Sequence, residues 1–224
     1  MSDFDKIKTN IEKLRGDMGA YPKARLCAVI KNRTPEEIRY AIDSCGVTLV
    51  GENRVQEFLS HEPYLSGTEV HFIGTLQKNK VKYLVGKVSM IESVDSVSLA
   101  KEIASRSGKI GVVTDVLCEV NTGREPQKGG FLPEELSAAL EEISKMKNLR
   151  LRGLMAVTPV TDNSDEKRGY FALLARLKSE NEKYFSGDAI LSMGMTGSYR
   201  EALSEGADII RIGTGIFGER KQIT

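Results

Sequence analysis

Short apolar runs alternate with amphipathic stretches along the chain. The first run, Arg25-Leu26-Cys27-Ala28-Val29-Ile30-Lys31, has the pattern of a buried strand that stops abruptly at a lysine. Behind it, Thr34-Pro35-Glu36-Glu37 predicts a helix start, with Thr34 as N-cap, proline in the first turn and acids at the positive end of the dipole. Ile38, Ala41 and Ile42 supply that helix with an apolar stripe. The pattern then predicts strands at 48–51, 70–74, 88–92, 112–120, 149–157, 189–193 and 209–212. Between them it predicts helices from about 53, from 77, over 96–107, from 133, over 164–184 and over 198–204. Ahead of the first strand, residues 2–17 form an amphipathic helix with Phe4, Ile7, Ile11 and Leu14 on one stripe and Ser2 with Asp5 as a capping box. This helix is expected to pack across the outside of the main domain.

Strands that are apolar throughout and alternate with helices imply a parallel sheet covered on its outer face. The 224 residues divided by eight give 28 per strand-plus-loop unit, which leaves little over for a second domain. The expected fold class is therefore α/β, a single (β/α)8 TIM barrel over residues 1–224 with residues 1–18 outside it. A doubly wound open sheet is the alternative.

Composition limits the partners. With 32 basic and 31 acidic residues the net charge is +1, so nothing in the overall charge draws the chain to nucleic acid or to an anionic membrane, and a small ligand is the expected partner. Cys27, Cys45 and Cys118 follow no metal or disulfide spacing, which argues against a zinc site and for a reducing, cytoplasmic setting. No run is long enough for a membrane helix, and the N-terminus lacks the apolar core of a signal peptide.

In a barrel of this kind chemistry gathers where strands end, on the face built by the βα loops. Polar residues do fall there: Lys31, Glu52-Asn53-Arg54, Gly74-Thr75-Leu76-Gln77, Glu92 to Ser96, Asn121-Thr122-Gly123, Thr158, Ser192 to Ser198 and Arg211 to Gly215. Lys31 is either a solvated strand end or an amine partly desolvated by an apolar floor and able to condense with an aldehyde. The glycines and small residues of the last two loops either serve tight turns or let backbone N–H groups approach a phosphate. Arg211, inside an apolar strand, requires a fixed acceptor, either a ligand or an acid such as Glu92 or Asp208. His71 is expected to pack early in a strand, and His61 to lie on a helix surface. No nucleophilic triad and no clear acid pair emerges.

Taken together, Ala28-Val29-Ile30-Lys31, Gly51-Glu52-Asn53-Arg54-Val55-Gln56-Glu57, His71-Phe72-Ile73-Gly74-Thr75-Leu76-Gln77-Lys78-Asn79-Lys80, Ser93-Val94-Asp95-Ser96, Gly153-Leu154-Met155-Ala156, Ser192-Met193-Gly194-Met195-Thr196 and Arg211-Ile212-Gly213-Thr214-Gly215-Ile216-Phe217-Gly218 resemble the YggS/PROSC family of pyridoxal 5′-phosphate (PLP) homeostasis proteins. The match runs from about residue 25 to residue 220. The resemblance implies a barrel like the N-terminal domain of alanine racemase, PLP fold type III, with Lys31 forming the internal aldimine. It further implies that Arg211 faces the pyridine nitrogen and that Thr196, Gly213 and Thr214 hold the phosphate, with Ser192 and Asn53 nearby. This chain departs from the family at Ile30, where many members carry serine, and at Ser198, where many carry an acid. Ser198 with Glu201 still fits a capping box, so the helix there is expected to form.

The resemblance implies a carrier of PLP in vitamin B6 and amino-acid homeostasis, without robust catalysis, a monomer or weak dimer with PLP-dependent apo-enzymes as candidate recipients. The residues agree with this independently. Racemisation needs an acid/base on each face of the substrate carbon, and Lys31 serves only one. An always-charged guanidinium at Arg211 would keep the pyridine nitrogen unprotonated and weaken the ring as an electron sink. A small PLP-dependent amino-acid racemase is the alternative, and a phosphate-binding barrel enzyme without cofactor is a third.

Overall fold

All eight predicted strands form, and they close on one another. In the computed structural model, which describes residues 3–219, the parallel strands β1 (Arg25–Val29), β2 (Leu49–Glu52), β3 (Glu69–Phe72), β4 (Met90–Val94), β5 (Thr114–Glu119), β6 (Leu149–Met155), β7 (Ile190–Ser192) and β8 (Ile209–Ile212) follow in sequence order around a closed barrel. β1 and β8 complete the ring, with Arg25 opposite Ile209 and Ala28 opposite Ile212. The open-sheet alternative is thereby excluded.

The outward-facing strand residues Ala28, Val50, Phe72, Ile91, Val116, Leu154 and Ile210 belong to one continuous core between sheet and helices. The inward residues form only small apolar clusters, Cys27 with Leu49 and Ile209, and Met90 with Leu117 and Met155. Much of the remaining interior is polar, which is unusual for a barrel normally filled by apolar layers. Between β6 and β7 the backbones approach so closely that a Cβ on Gly153, at φ +148°, would lie 2.0 Å from the Ile190 carbonyl oxygen. Only glycine fits there.

The covering helices are α1 (Asp3–Met18), α2 (Pro35–Arg39, continued by a π turn over Tyr40–Ser44), α3 (Val55–His61), α4 (Val97–Lys109), α5 (Pro133–Ser144), α6 (Ser164–Glu180), α7 (Tyr199–Ser204) and α8 (Thr214–Phe217). Thr34 caps α2, as its sequence predicts, and the cap closes into a full capping box with Glu37. Along α1 the residues Ile7, Ile11, Leu14 and Met18 are buried, whereas Phe4 is partly exposed and stacks on Tyr40 at 4.7 Å. The predicted Ser2 cap lies outside the described residues. α1 is tied to the barrel by Asn10 Nδ2 donating to the Ile216 carbonyl (2.9 Å), Arg15 to Gly46 (2.7 Å), and Asp17 accepting from Tyr199 and Arg200.

Local differences from the sequence pattern have physical causes. The basic stretch after β3 forms a 3-10 helix over Lys78–Tyr83 in place of an α-helix, burying Val81 alone. β4 starts two residues later than its apolar run, which puts Glu92 in mid-strand. Ser198 does not cap α7: its hydroxyl accepts from Met195 N (3.1 Å), and Glu201 turns to Ser164 and Lys167. Helix α7 forms nonetheless because Tyr199, Ala202 and Leu203 bury its inner face.

Candidate functional site

Lys31 emerges where β1 ends. Ile30 N donates to Gly51 O (3.1 Å), which carries the strand pairing one residue further, and the chain then turns through Arg33 N to Ile30 O (3.2 Å). Asn32 adopts the left-handed conformation (φ 55°), which asparagine tolerates better than most residues, and its N–H donates to Glu57 Oε2 (2.8 Å). The buried Arg33 guanidinium donates to the carbonyls of Phe217 (3.2 Å) and Gly218 (2.7 Å) and lies over the Phe217 ring. The lysine-bearing loop is thus pinned to α3 on one side and α8 on the other. Ile30 is fully buried in the barrel–helix core, so this departure from the family pattern lies outside the barrel mouth.

Six of the seven expected site residues line one cavity of about 340 Å³: Lys31, Asn53, Thr196, Arg211, Gly213 and Thr214. Val29, Ile73 and Val157 supply apolar walls. At one end, Thr196 Oγ1 accepts from Gly215 N (3.1 Å) and lies 3.2 Å from Thr214 Oγ1. A Cβ on Gly215 would come within 2.8 Å of Ile212 and 3.1 Å of Thr196, so glycine is what lets these two loops meet. At the other end, Asn53 Oδ1 is buried with no hydrogen-bond partner. Gly74 sets the position of Asn53, because any Cβ there would lie 2.1 Å from the Asn53 carbonyl oxygen.

Ser192, the seventh residue, does not line the cavity. It is fully buried one layer below, where its hydroxyl donates to Glu92 Oε2 (2.5 Å) and accepts from Arg211 Nη1 (2.7 Å). Arg211 Nη2 donates to the Ala156 carbonyl (2.8 Å), and Glu92 lies 3.9 Å from Nη1. Of the two acids weighed for Arg211, Glu92 is the neighbour; Asp208 instead accepts from Leu191 N (2.8 Å).

The structure brings further groups to the site and its surroundings beyond the seven expected residues. A recess of about 420 Å³ shares Lys31, Asn53, Ile73 and Val157 with the first cavity and adds Arg54, Glu119 and Lys128. Burial pushes the Glu119 carboxyl above its ordinary range, against the pull of Arg211. Lys128 donates to the Thr158 carbonyl (3.1 Å) and pairs with Glu125. His71 is buried in β3, as expected, but is also hydrogen-bonded to Glu92 (2.6 Å) and Glu69 (3.0 Å). His61 corrects the expectation of a surface residue: it is buried, with Nδ1 2.6 Å from Glu52 Oε1. An acid inside an otherwise apolar strand, as at Glu52, Glu92 and Glu119, was the available signal for these networks.

Among the described residues, no group of His, Cys, Asp and Glu side chains is arranged to hold a metal ion, and no helix is long and apolar enough to cross a membrane. The three cysteines are buried and unpaired by disulfides.

A parallel barrel with a lysine at the end of β1 and a hydroxyl-and-amide cluster across the β7 and β8 loops defines a class, and the family model for the alanine racemase N-terminal domain matches residues 2–221. Within that class the chain belongs to the family of pyridoxal phosphate homeostasis proteins. It is 45% identical to the one from Aquifex aeolicus over 201 residues, 88% of each chain, and 34% identical to the one from Helicobacter pylori, covering 96% of this chain and 97% of that one. PipY of Synechococcus elongatus, whose structure was solved with PLP bound, superposes with a TM-score of 0.85 at 32% identity, covering 95% of this chain and 100% of that one. Alanine racemase of Clostridium difficile shares the fold alone, with a TM-score of 0.80 at 14% identity over 98% of this chain and 57% of that one.

Proposed function

We propose that this chain binds PLP at the mouth of its barrel and takes part in intracellular PLP homeostasis as a carrier without robust turnover. The observation that carries the reading is the convergence of Lys31, Asn53, Thr196, Arg211, Gly213 and Thr214 on one cavity. The donor set fits the cofactor. The Thr196 and Thr214 hydroxyls offer hydrogen bonds to a phosphate, with the Gly215 N–H holding Thr196 Oγ1 in place, Asn53 Oδ1 is a buried acceptor still lacking a donor, and Val29, Ile73 and Val157 supply apolar walls for a ring.

When bound, PLP supplies a reactive aldehyde, and Lys31 supplies the amine that holds it covalently. Arg211, held by Ser192 and the Ala156 carbonyl, would face the ring: a guanidinium gives only donors and keeps its charge, so beside the pyridine nitrogen it would leave that nitrogen unprotonated and weaken the ring as an electron sink, which favours retention over turnover. The relatives' name, pyridoxal phosphate homeostasis protein, and the PLP-bound PipY structure support this reading over a racemase.

The test is direct. Incubation with PLP followed by borohydride reduction and peptide mapping should place the pyridoxyl adduct on Lys31, and Lys31→Ala should lose both the adduct and the visible absorbance. An adduct on Lys128 in place of Lys31 would overturn the assignment.

A further inference from the structure

We propose that His71 and Glu92 are positioning residues for Arg211, forming the inner part of a charged chain that runs through the barrel and orients the guanidinium toward the cavity. The inference deepens the proposed function, since the cofactor is what Arg211 would face.

The chain of contacts is continuous. It begins near the N-terminal end of the strands, where Arg25 pairs with Glu69. Glu69 Oε1 lies 3.0 Å from His71 Nε2, His71 Nδ1 lies 2.6 Å from Glu92 Oε1, Ser192 Oγ donates to Glu92 Oε2 (2.5 Å), and Arg211 Nη1 donates to Ser192 Oγ (2.7 Å). From His71 to Arg211 every member is at least nine-tenths buried. Arg211 is the only one of these that also lines the Lys31 cavity.

Donor order makes the chain directional. The Ser192 hydroxyl has one proton, and while Glu92 is ionised that proton points at Glu92, leaving a lone pair for Arg211. A neutral Glu92 could donate to Ser192 instead and turn the serine proton toward Arg211, breaking that link. An imidazolium at His71 keeps Glu92 ionised. The charged groups packed around the pair act the same way: Glu69 on β3 favours the imidazolium, Arg211 on β8 favours the carboxylate, and the Cys27 thiol on β1 is held neutral by burial. The net result is a Glu92 carboxyl below its ordinary range despite complete burial. For stability alone, apolar residues would fill this layer as well as or better than buried charges do. A charged layer ending at the cavity wall is what positioning Arg211 requires.

The experiment uses the full chain with PLP as probe, in wild type, His71→Gln, Glu92→Gln, Arg211→Ala and the His71→Gln/Arg211→Ala double variant. The readouts are the PLP dissociation constant and the pH midpoint of the visible absorption band. In the wild-type background His71→Gln and Glu92→Gln are each expected to weaken binding roughly 3- to 30-fold and to move the band's midpoint, while His71→Gln adds nothing once Arg211 is gone. Unchanged affinity and midpoint, or effects that add fully to Arg211→Ala, would overturn the proposal while leaving PLP binding intact. A wild type that takes up no PLP would overturn the parent reading itself. If the variants do not fold, the His71 ring protons of the wild type are titrated by NMR with and without PLP. Displaced curves support the coupling, and superimposable ones refute it.

Discussion

Nδ1 of His71 lies 2.6 Å from Oε1 of Glu92, with both side chains withdrawn from solvent at the centre of the barrel. Burial alone lowers the proton affinity of an imidazole, but hydrogen bonds to Glu69 and Glu92 outweigh it and raise His71 to about 9. A raised folded-state value means that the imidazolium's contribution to stability is fully present below the unfolded value of about 6.5 and is lost as pH rises through about 9. Denaturant unfolding should therefore show a loss of about 2 to 3 kcal/mol between pH 7 and pH 10 that is absent from His71→Gln. Identical pH profiles for the two proteins would contradict the assignment.

The threonine pair gives a prediction on affinity. Thr214→Val keeps the volume and removes one hydroxyl beside Thr196, so PLP should bind more weakly by about 1 to 3 kcal/mol, the range for a charged group short of one hydrogen bond. Pyridoxal lacking the phosphate should bind poorly to the wild type and be little affected by the substitution. Equal affinity of the wild type for the two forms would remove the phosphate from this end of the cavity.

Gly74→Ala tests how the β3 loop supports the site. The added Cβ would lie 2.1 Å from backbone, which cannot yield as a flexible side chain does, so the Asn53 segment must move. A destabilisation of about 1 to 3 kcal/mol is expected from overpacking, together with weaker PLP binding, measured by thermal melts and absorbance titration. A variant that melts and binds like the wild type would show that Asn53 is not fixed by this contact.

The distinction between carrier and racemase rests on proton loss from a bound amino acid. With L-alanine in deuterated water, the PLP-loaded chain should incorporate α-deuterium far more slowly than a genuine racemase assayed beside it by NMR. Exchange at a comparable rate would reverse the functional reading. Arg211→Ala should weaken PLP binding without creating racemase activity, because it adds no second proton-transfer group.

What the sequence by itself determined was the order and type of nearly every element, because buried parallel strands must be apolar throughout and their covering helices must be amphipathic. It also offered Lys31, Asn53, Thr196, Gly213 and Thr214 as polar or small residues where apolar runs end, and Arg211 as a charge inside one, and the family resemblance singled these out from the other strand ends. Tertiary structure alone decided the rest. Ser192 reads as a loop-edge residue like Thr196, yet strand alternation turns it inward beneath Arg211. His61 sits at the end of a helix and reads as exposed until the fold brings Glu52 against it. Glu92 and His71 are 21 residues apart and interact only because β3 and β4 are neighbours with both side chains turned into the barrel. A pairing of buried charges depends on which strands adjoin and which face each residue takes, and neither is written in any local stretch of chain.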